Sequence, residues 1–395
     1  MIKFKQLDIL IGFSLALLAA MPVLRLEFPI PSVGLVLPII MVFGFGVLKI
    51  FTKGSIYIRS NIVAYFYFIL LLFVYLLTSA IWNPFDVSVG DAVLKIILII
   101  IAVVSVIISF NERAAIHFIN WIIFFSVFAA ATLFLEYIRI GSFSGYRLSS
   151  TLVRPQLMGI GAIFSVSKLL FFNNIRRKQY IGITGFLLLG LAFGGARGAL
   201  IITFVICMLL LGYYFYINNP KSFTLQEWLK NKSLRIASVS SIVLMIIAAL
   251  QIERTAHKMR RLFFGGELLY GDRTELWIQS FLNYLDSPII GHGLRSSGVL
   301  SNGDSGYYPH NLFLEVLLDG GIIAFFLLII VCFYPIIRVI ELYRKRRLNS
   351  MLWLPIMSGY IFLIMEFSKS NSLYEARMLF VIGIVLLITT EKLKK

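Results

Sequence analysis

The sequence predicts an all-α fold, a polytopic helical membrane protein of about twelve transmembrane helices, on three observations. Apolar residues make up 59% of the 395 and charged ones only 14%, with a mean hydropathy of +0.90, a composition outside the range of water-soluble domains. The apolar residues fall in unbroken runs close to the ~20 needed to cross a bilayer as a helix, whereas a barrel would show short alternating segments. Lys and Arg gather in the gaps between alternate runs, as the charge asymmetry of cytoplasmic loops requires.

The expected spans are 8–24, 33–51, 61–82, 91–110, 114–138, 156–173, 180–195, 198–217, 235–251, 311–337, 351–368 and 373–390. Lys3 and Lys5 precede the first. Lys49, Lys53 and Arg59 lie around the second gap, Arg176, Arg177 and Lys178 after the sixth span, and Lys221, Lys230, Lys232 and Arg235 after the eighth. Arg338 and Arg344 to Arg347 follow the tenth, and Lys392, Lys394 and Lys395 end the chain. All of these fall on one side when the spans alternate, so both termini are expected in the cytoplasm. The first apolar run lacks a small-x-small cleavage site and reads as a retained span. The net charge of +17 is thus a matter of topology, with membrane lipids as partners and no nucleic acid. Cys207 and Cys332 both fall inside apolar runs, which argues against a disulfide framework. Residues 1–395 read as a single integral membrane domain, with 252–310 as one long external loop inside it.

Three breaks interrupt this pattern. Gly141 to Pro155 carries Arg147 and Arg154. Gly194-Gly195-Ala196-Arg197-Gly198 leaves almost no loop, so Arg197 is expected where two helices meet. The 252–310 segment is too long to be structureless in a compact domain and reads as functional. Within it, Asp272 with Glu275 three residues on has the form of a capping box, opening a helix expected to stop before Pro288. Leu276, Trp277, Phe281, Tyr284 and Leu285 recur at helical spacing along it. Their apolar face either packs on the bundle or lies in the membrane interface.

Arg147, Arg154, Arg197, Arg254, Arg260, Arg261, Arg273 and Arg295 all fall on the side opposite the basic loops. Arginines placed against the topological rule point to an anionic ligand, and a lipid-linked diphosphate suits a guanidinium's fixed charge and planar fork of donors. A single external Arg is more often a headgroup contact or an ion-pair partner. Arg197 is the hardest to dismiss, because a charge between two apolar spans is costly unless it faces a polar cavity. Arg273 and Arg147 follow, then Arg154. His310 is the sharpest catalytic candidate: it follows Tyr307-Tyr308-Pro309 at the head of an apolar run, and a neutral imidazole accepts a proton at physiological pH. The plainer reading of a lone His there is a helix cap. Asn311, Glu315, Arg295 and His292, between Gly291 and Gly293, are candidate supporting residues.

The remaining intramembrane charges have simpler explanations. Asp91 with Lys95, and Glu366 with Lys369, are spaced to pair on one turn, and Lys168 is placed to snorkel to the interface. No metal-ligand spacing, Walker loop, dinucleotide fingerprint or nucleophilic-serine motif occurs, so no cofactor and no metal is expected.

Taken together, the Gly194–Gly198 junction, Arg273-x-x-x-Trp277, Ser287-Pro288-Ile289-Ile290-Gly291-His292-Gly293, and His310-Asn311 followed after nine residues by Gly321 resemble the bacterial O-antigen ligase and O-antigen polymerase superfamily. The resemblance covers residues 190–335. It implies transfer of a whole glycan from undecaprenyl diphosphate to an acceptor hydroxyl at the periplasmic face of the inner membrane, with His310 catalytic and Arg197 and Arg273 on the phosphates. Ile322-Ile323-Ala324-Phe325 stands where ligases often carry a Gly-Thr-Thr-like stretch, so the acceptor stays open: lipid A–core first, a growing glycan second, a protein third. A lipid-linked glycan flippase or transporter is the alternative from another class, though such proteins usually carry charges mid-span and repeated halves.

Overall fold

The computed structural model describes residues 4–28, 36–53, 58–85, 87–140, 150–172, 177–194, 197–218, 272–302, 308–346, 348 and 351–390. Its helices, in chain order, are α1 (Phe4–Glu27), α2 (Leu37–Lys53), α3 (Ser60–Ser79), α4 (Gly90–Ser109), α5 (Glu112–Ile140), α6 (Ser150–Phe171) and α7 (Arg177–Phe193). There follow α8 (Arg197–Asn218), α9 (Asp272–Tyr284), α10 (Ser296–Asn302), α11 (Leu312–Arg344), α12 (Trp353–Ser370) and α13 (Arg377–Thr390). Every expected span meets a helix except 235–251, which lies outside the described residues. Among the described residues, six helices are long and apolar enough to cross a membrane, within α1, α3, α4, α5, α8 and α11.

Their outward faces say what solvent they meet. On α3, Val63, Tyr67, Leu71 and Val74 are exposed, and on α11 Ile323, Phe326, Ile330, Phe333, Ile337 and Ile340. Apolar stripes of this length on an exterior belong against hydrocarbon, because water would leave them uncovered. The protein is a polytopic all-helical membrane protein.

The chain divides into two compact units: Met1–Leu18, Pro31–Phe118 and Leu268–Lys395 form the first, Ala19–Ile30 and Ile119–Glu267 the second. In the first, α13 is the central rod, with every residue from Met378 to Thr390 buried, as a helix apolar all round must be. It packs against α3, α4, α11 and α12. A Cβ on Gly383 would sit 2.2 Å from the Tyr65 hydroxyl, and that hydroxyl meets Tyr360 at 3.3 Å. At one end of this unit, Lys49 Nζ donates to Asp8 at 3.1 Å and to the Ser109 carbonyl at 2.7 Å. Asn111 donates to Asp8 at 2.8 Å and caps α5 through the Ala114 amide at 2.8 Å. One buried ion pair therefore ties the ends of α1, α2, α4 and α5, although Lys49 was expected to serve only as a loop charge.

The second unit packs α6 against α7 and α8. Gly161 lets α6 approach α5, since a Cβ there would overlap Ser126; the Ser126 hydroxyl donates to the Leu157 carbonyl at 2.7 Å. Helix α6 begins at Ser150, inside the expected Gly141–Pro155 break and ahead of the expected span, with Pro155 within it. Proline at the sixth residue lies past the first turn, so it leaves the Thr151 carbonyl without its i+4 donor. Lys168 does not snorkel: it is buried, donates to Asn120 and lies 5.7 Å from the Tyr180 ring centroid.

Two further boundaries depart from expectation. The last span begins as a helix only at Arg377, preceded by a 3-10 turn at Leu373–Glu375. Helix α11 is broken at Gly321, whose φ of 63° and ψ of −164° are non-helical. The first departure follows from the polar cluster described next, the second from the glycine contact beside it.

Candidate functional site

Everything the structure describes around His310 is built in the first unit, at the head of α11. Asn311 is the N-cap: its Oδ1 accepts from the Phe313 and Leu314 amides at 3.0 and 3.2 Å, satisfying donors a helix start leaves over. His310 precedes the cap with a φ of 52°, a region L-residues seldom occupy and which clusters at functional positions. Its ring lies 4.3 Å, centroid to centroid, from that of Tyr308. Trp277 of α9 donates its indole N–H to the Pro309 carbonyl at 2.8 Å, so the residue before His310 is held from a different helix. The Asn311 side chain therefore caps the helix.

One and two turns further along α11 stand two buried carboxylates, Glu315 and Asp319. Like charges four residues apart on a helix repel, and each is held by donors from elsewhere. Glu315 accepts from the Ser372 hydroxyl and the Leu373 amide, both at 2.7 Å. Asp319 accepts from the Arg295 amide at 3.0 Å, the Ser297 amide at 2.8 Å, the Ser296 hydroxyl at 3.2 Å and the Tyr374 hydroxyl at 3.0 Å. Burial, then the charges of Asp319 and Glu315, hold the Tyr374 phenol well above its ordinary value, so it remains a donor. These bonds keep residues 372–375 out of a helix and delay the start of α13.

The Ser287–Gly293 segment clasps the break in α11. The His292 and Gly293 amides donate to the Leu318 and Asp319 carbonyls at 2.8 Å each, and the Ile322 amide donates to the Pro288 carbonyl at 2.9 Å. This approach requires glycine on both sides. A Cβ on Gly291 would lie 2.4 Å from the Gly321 nitrogen, one on Gly321 would lie 2.3 Å from the Ile289 carbonyl, and φ is positive at both. The two glycine motifs that looked separate in the sequence are two halves of one backbone contact. The ring of His292 points away from it, donating from Nε2 to the Asn283 carbonyl at 2.8 Å, so its role here is to join the clasp to α9.

Arg295 also has positive φ, 68°, and its guanidinium lies 3.6 Å from Asp91, which pairs with Lys95 at 2.9 Å. Arg154, in the second unit, is buried and pairs with Glu136 at 2.5 Å. Arg197 and Arg273 are placed by their backbones, at the first residue of α8 and the second of α9; their side chains lie outside the described residues, as do Arg147, Arg254, Arg260 and Arg261. The described residues thus set His310, Asn311 and Glu315 at the start of α11, with His292 and Arg295 bonded to that helix two turns in, at Leu318 and Asp319. Asp319 and Tyr374 escaped the sequence reading, though an acid inside an apolar run, four residues from Glu315 and next to Gly320-Gly321, was a signal in plain view.

What the fold and this cluster define is a helical membrane protein with a polar site at the head of a broken helix, held by the loop before it. Residues 142–329 match the family described as O-antigen ligase, and this match supports the O-antigen ligase and polymerase superfamily. It likewise supports a function of the ligase or polymerase type, that of glycosyltransferase-like membrane enzymes handling lipid-linked glycan. The match takes in Arg147, Arg154, Arg197, Arg273, His292, Arg295 and His310. A comparison with curated proteins gave no match.

Proposed function

We propose that the protein is an O-antigen ligase that moves a glycan en bloc from undecaprenyl diphosphate to a hydroxyl of lipid A–core at the periplasmic face of the inner membrane, in lipopolysaccharide biosynthesis. The observation that carries this reading is the seat of His310: positive φ, ahead of a capped helix start, fixed through Pro309 by Trp277, inside the family match. His310 takes the proton of the acceptor hydroxyl as its oxygen attacks the anomeric carbon. The bond from that carbon to the diphosphate oxygen breaks, and the diphosphate leaves with both electrons. Arg197 and Arg273, with Arg147, offset the charge that develops there, the preorganised stabilisation that often dominates catalysis. Arg154, whose charge Glu136 already offsets, stands at the edge of this set. Single displacement inverts the anomeric centre and calls for no metal. The 252–310 segment is the periplasmic loop, and both termini are cytoplasmic.

Two measurements test this. In a purified assay with lipid-linked donor and a chelator present, His310→Ala and His310→Gln are each expected to lose about 10²–10⁴-fold in rate while retaining donor binding. Gln donates and accepts hydrogen bonds but takes up no proton at neutral pH, so full activity in His310→Gln places the base elsewhere. In a deletion strain, accumulation of undecaprenyl-linked polymer with unsubstituted core supports the ligase. Core bearing a single repeat assigns the protein to the polymerases instead.

A further inference from the structure

Helix α9 is amphipathic the wrong way round for a helix that packs on a protein core. The face it turns inward is polar and aromatic. Ser280 meets the Ser301 hydroxyl at 2.8 Å, Asn283 donates to the Leu300 carbonyl at 2.5 Å, and Trp277 donates to Pro309. The face it turns outward is apolar. Ile278, Phe281, Leu282 and Leu285 recur three and four apart and are all exposed, and Ile289 and Ile290 continue the patch beyond the helix. At ~100° per residue these four share one sector of the helix. Glu275, Gln279 and Asp286, also exposed, lie together along one border of it.

Three positions locate this patch along the membrane normal. Pro309, which Trp277 holds, stands three residues before α11 begins. The Ile290 carbonyl accepts from the Tyr75 hydroxyl at 3.3 Å, near the end of α3. Asn83, just past that end, donates to the Leu294 carbonyl at 2.7 Å. The patch therefore adjoins the ends of two spanning helices, whose own outward stripes include Leu71 and Val74 on α3 and Ile323 and Phe326 on α11. An apolar sector at that depth with a polar border on one side is the pattern of a helix lying in the interface.

We propose that α9 with the Ile289–Ile290 turn is a membrane-interface anchor, lying flat at the headgroup–acyl boundary of one leaflet with its apolar sector in lipid. Because Trp277 belongs to this helix and holds Pro309, the anchor sets the depth of His310 relative to the lipid surface. That last clause rests on the catalytic reading of His310; the anchor does not.

The test is nitroxide accessibility in lipid nanodiscs, with single labels at Phe281→Cys, Leu282→Cys, Leu285→Cys and Gln279→Cys in a background lacking Cys207 and Cys332. Collision with oxygen, which concentrates in lipid, is expected to exceed collision with a water-soluble nickel chelate severalfold at 281, 282 and 285. At 279 the ratio is expected to fall toward water. Nickel access above oxygen at all four positions overturns the anchor and makes the patch a water-facing surface. Low access to both reagents at 281, 282 and 285 overturns it too, because protein then covers the patch. Should the labelled variants fail to fold, the unsubstituted protein is treated with a bilayer-dissolved carbene precursor. Adducts on residues 278–290 are expected, and their absence alongside adducts on the α3 and α11 stripes overturns the proposal. The anchor stands or falls on these readouts whether or not His310 proves to be the base.

Discussion

Asp319 holds more of this site together than any other single side chain, since it joins the 291–297 loop, the 372–375 turn and α11. Asp319→Ala leaves two amides and two hydroxyls without their acceptor, and at about 1–3 kcal/mol per stranded buried group it is expected to lower the thermal stability of the purified protein severely. Tyr374→Phe removes one bond and is expected to cost about 1 kcal/mol. That difference depends on pH with a definite sign. The folded-state phenol is raised above its ordinary value near ~10, so its stabilisation is complete below that value and fades as pH rises through the alkaline range. The gap between wild type and Tyr374→Phe is expected to narrow above pH ~10 in unfolding measurements; a gap that widens there contradicts the assignment. Arg154→Ala is expected to cost about 1–3 kcal/mol by stranding Glu136, and Arg154→Met with Glu136→Gln to recover part of it. His310 was legible from its neighbours in the sequence. Asp319 stood in view as an acid inside an apolar run, but its partners did not, because its donors come from segments 22 and 55 residues away.

Among the elements, the break in α11 is the one that glycine chemistry dictates. Gly321→Ala and Gly291→Ala each drive a Cβ into backbone atoms at positive φ, where neither partner has a flexible end to yield. Both variants are expected to lose transfer activity and to unfold at lower temperature with His310 untouched. A wild-type activity in either one removes the clasp from the account of the site. The Ser287–Gly293 motif stood out in the sequence, yet as a motif without a partner. Residue spacing showed that α9 is amphipathic and left open what it faced. Leu276, Trp277 and Tyr284 turn half inward while Phe281 and Leu285 face out, because hydrogen bonds to Pro309, Leu300 and Ser301, not apolar area, choose the inner side.

At the scale of the whole molecule, span positions were legible because hydropathy runs and loop charges are local properties that need no tertiary information. Reporter fusions at Asn302 and Lys395 are expected to give opposite signals, and matching signals defeat the orientation on which the periplasmic site depends. Arg197→Lys and Arg273→Lys are expected to restore only part of what the alanine variants lose, since a point charge lacks the guanidinium fork. Normal transfer by both lysine variants removes diphosphate recognition from those positions. The proposal that these arginines act with His310 rests on a pattern of charge against topology.

The Gly321 break also divides α11 by length. At ~1.5 Å per residue, residues 322–344 make a rod of about 35 Å, close to the ~30 Å hydrocarbon core, while 312–320 stand above it with their last carbonyls taken by His292 and Gly293. A rod that tilts to match a thicker or thinner bilayer pivots at that joint and leaves the upper segment where the clasp holds it. The head of α11 is thereby insulated from bilayer thickness, and turnover is expected to vary little across vesicles of different acyl length, where an unbroken helix would carry every change of tilt straight to His310.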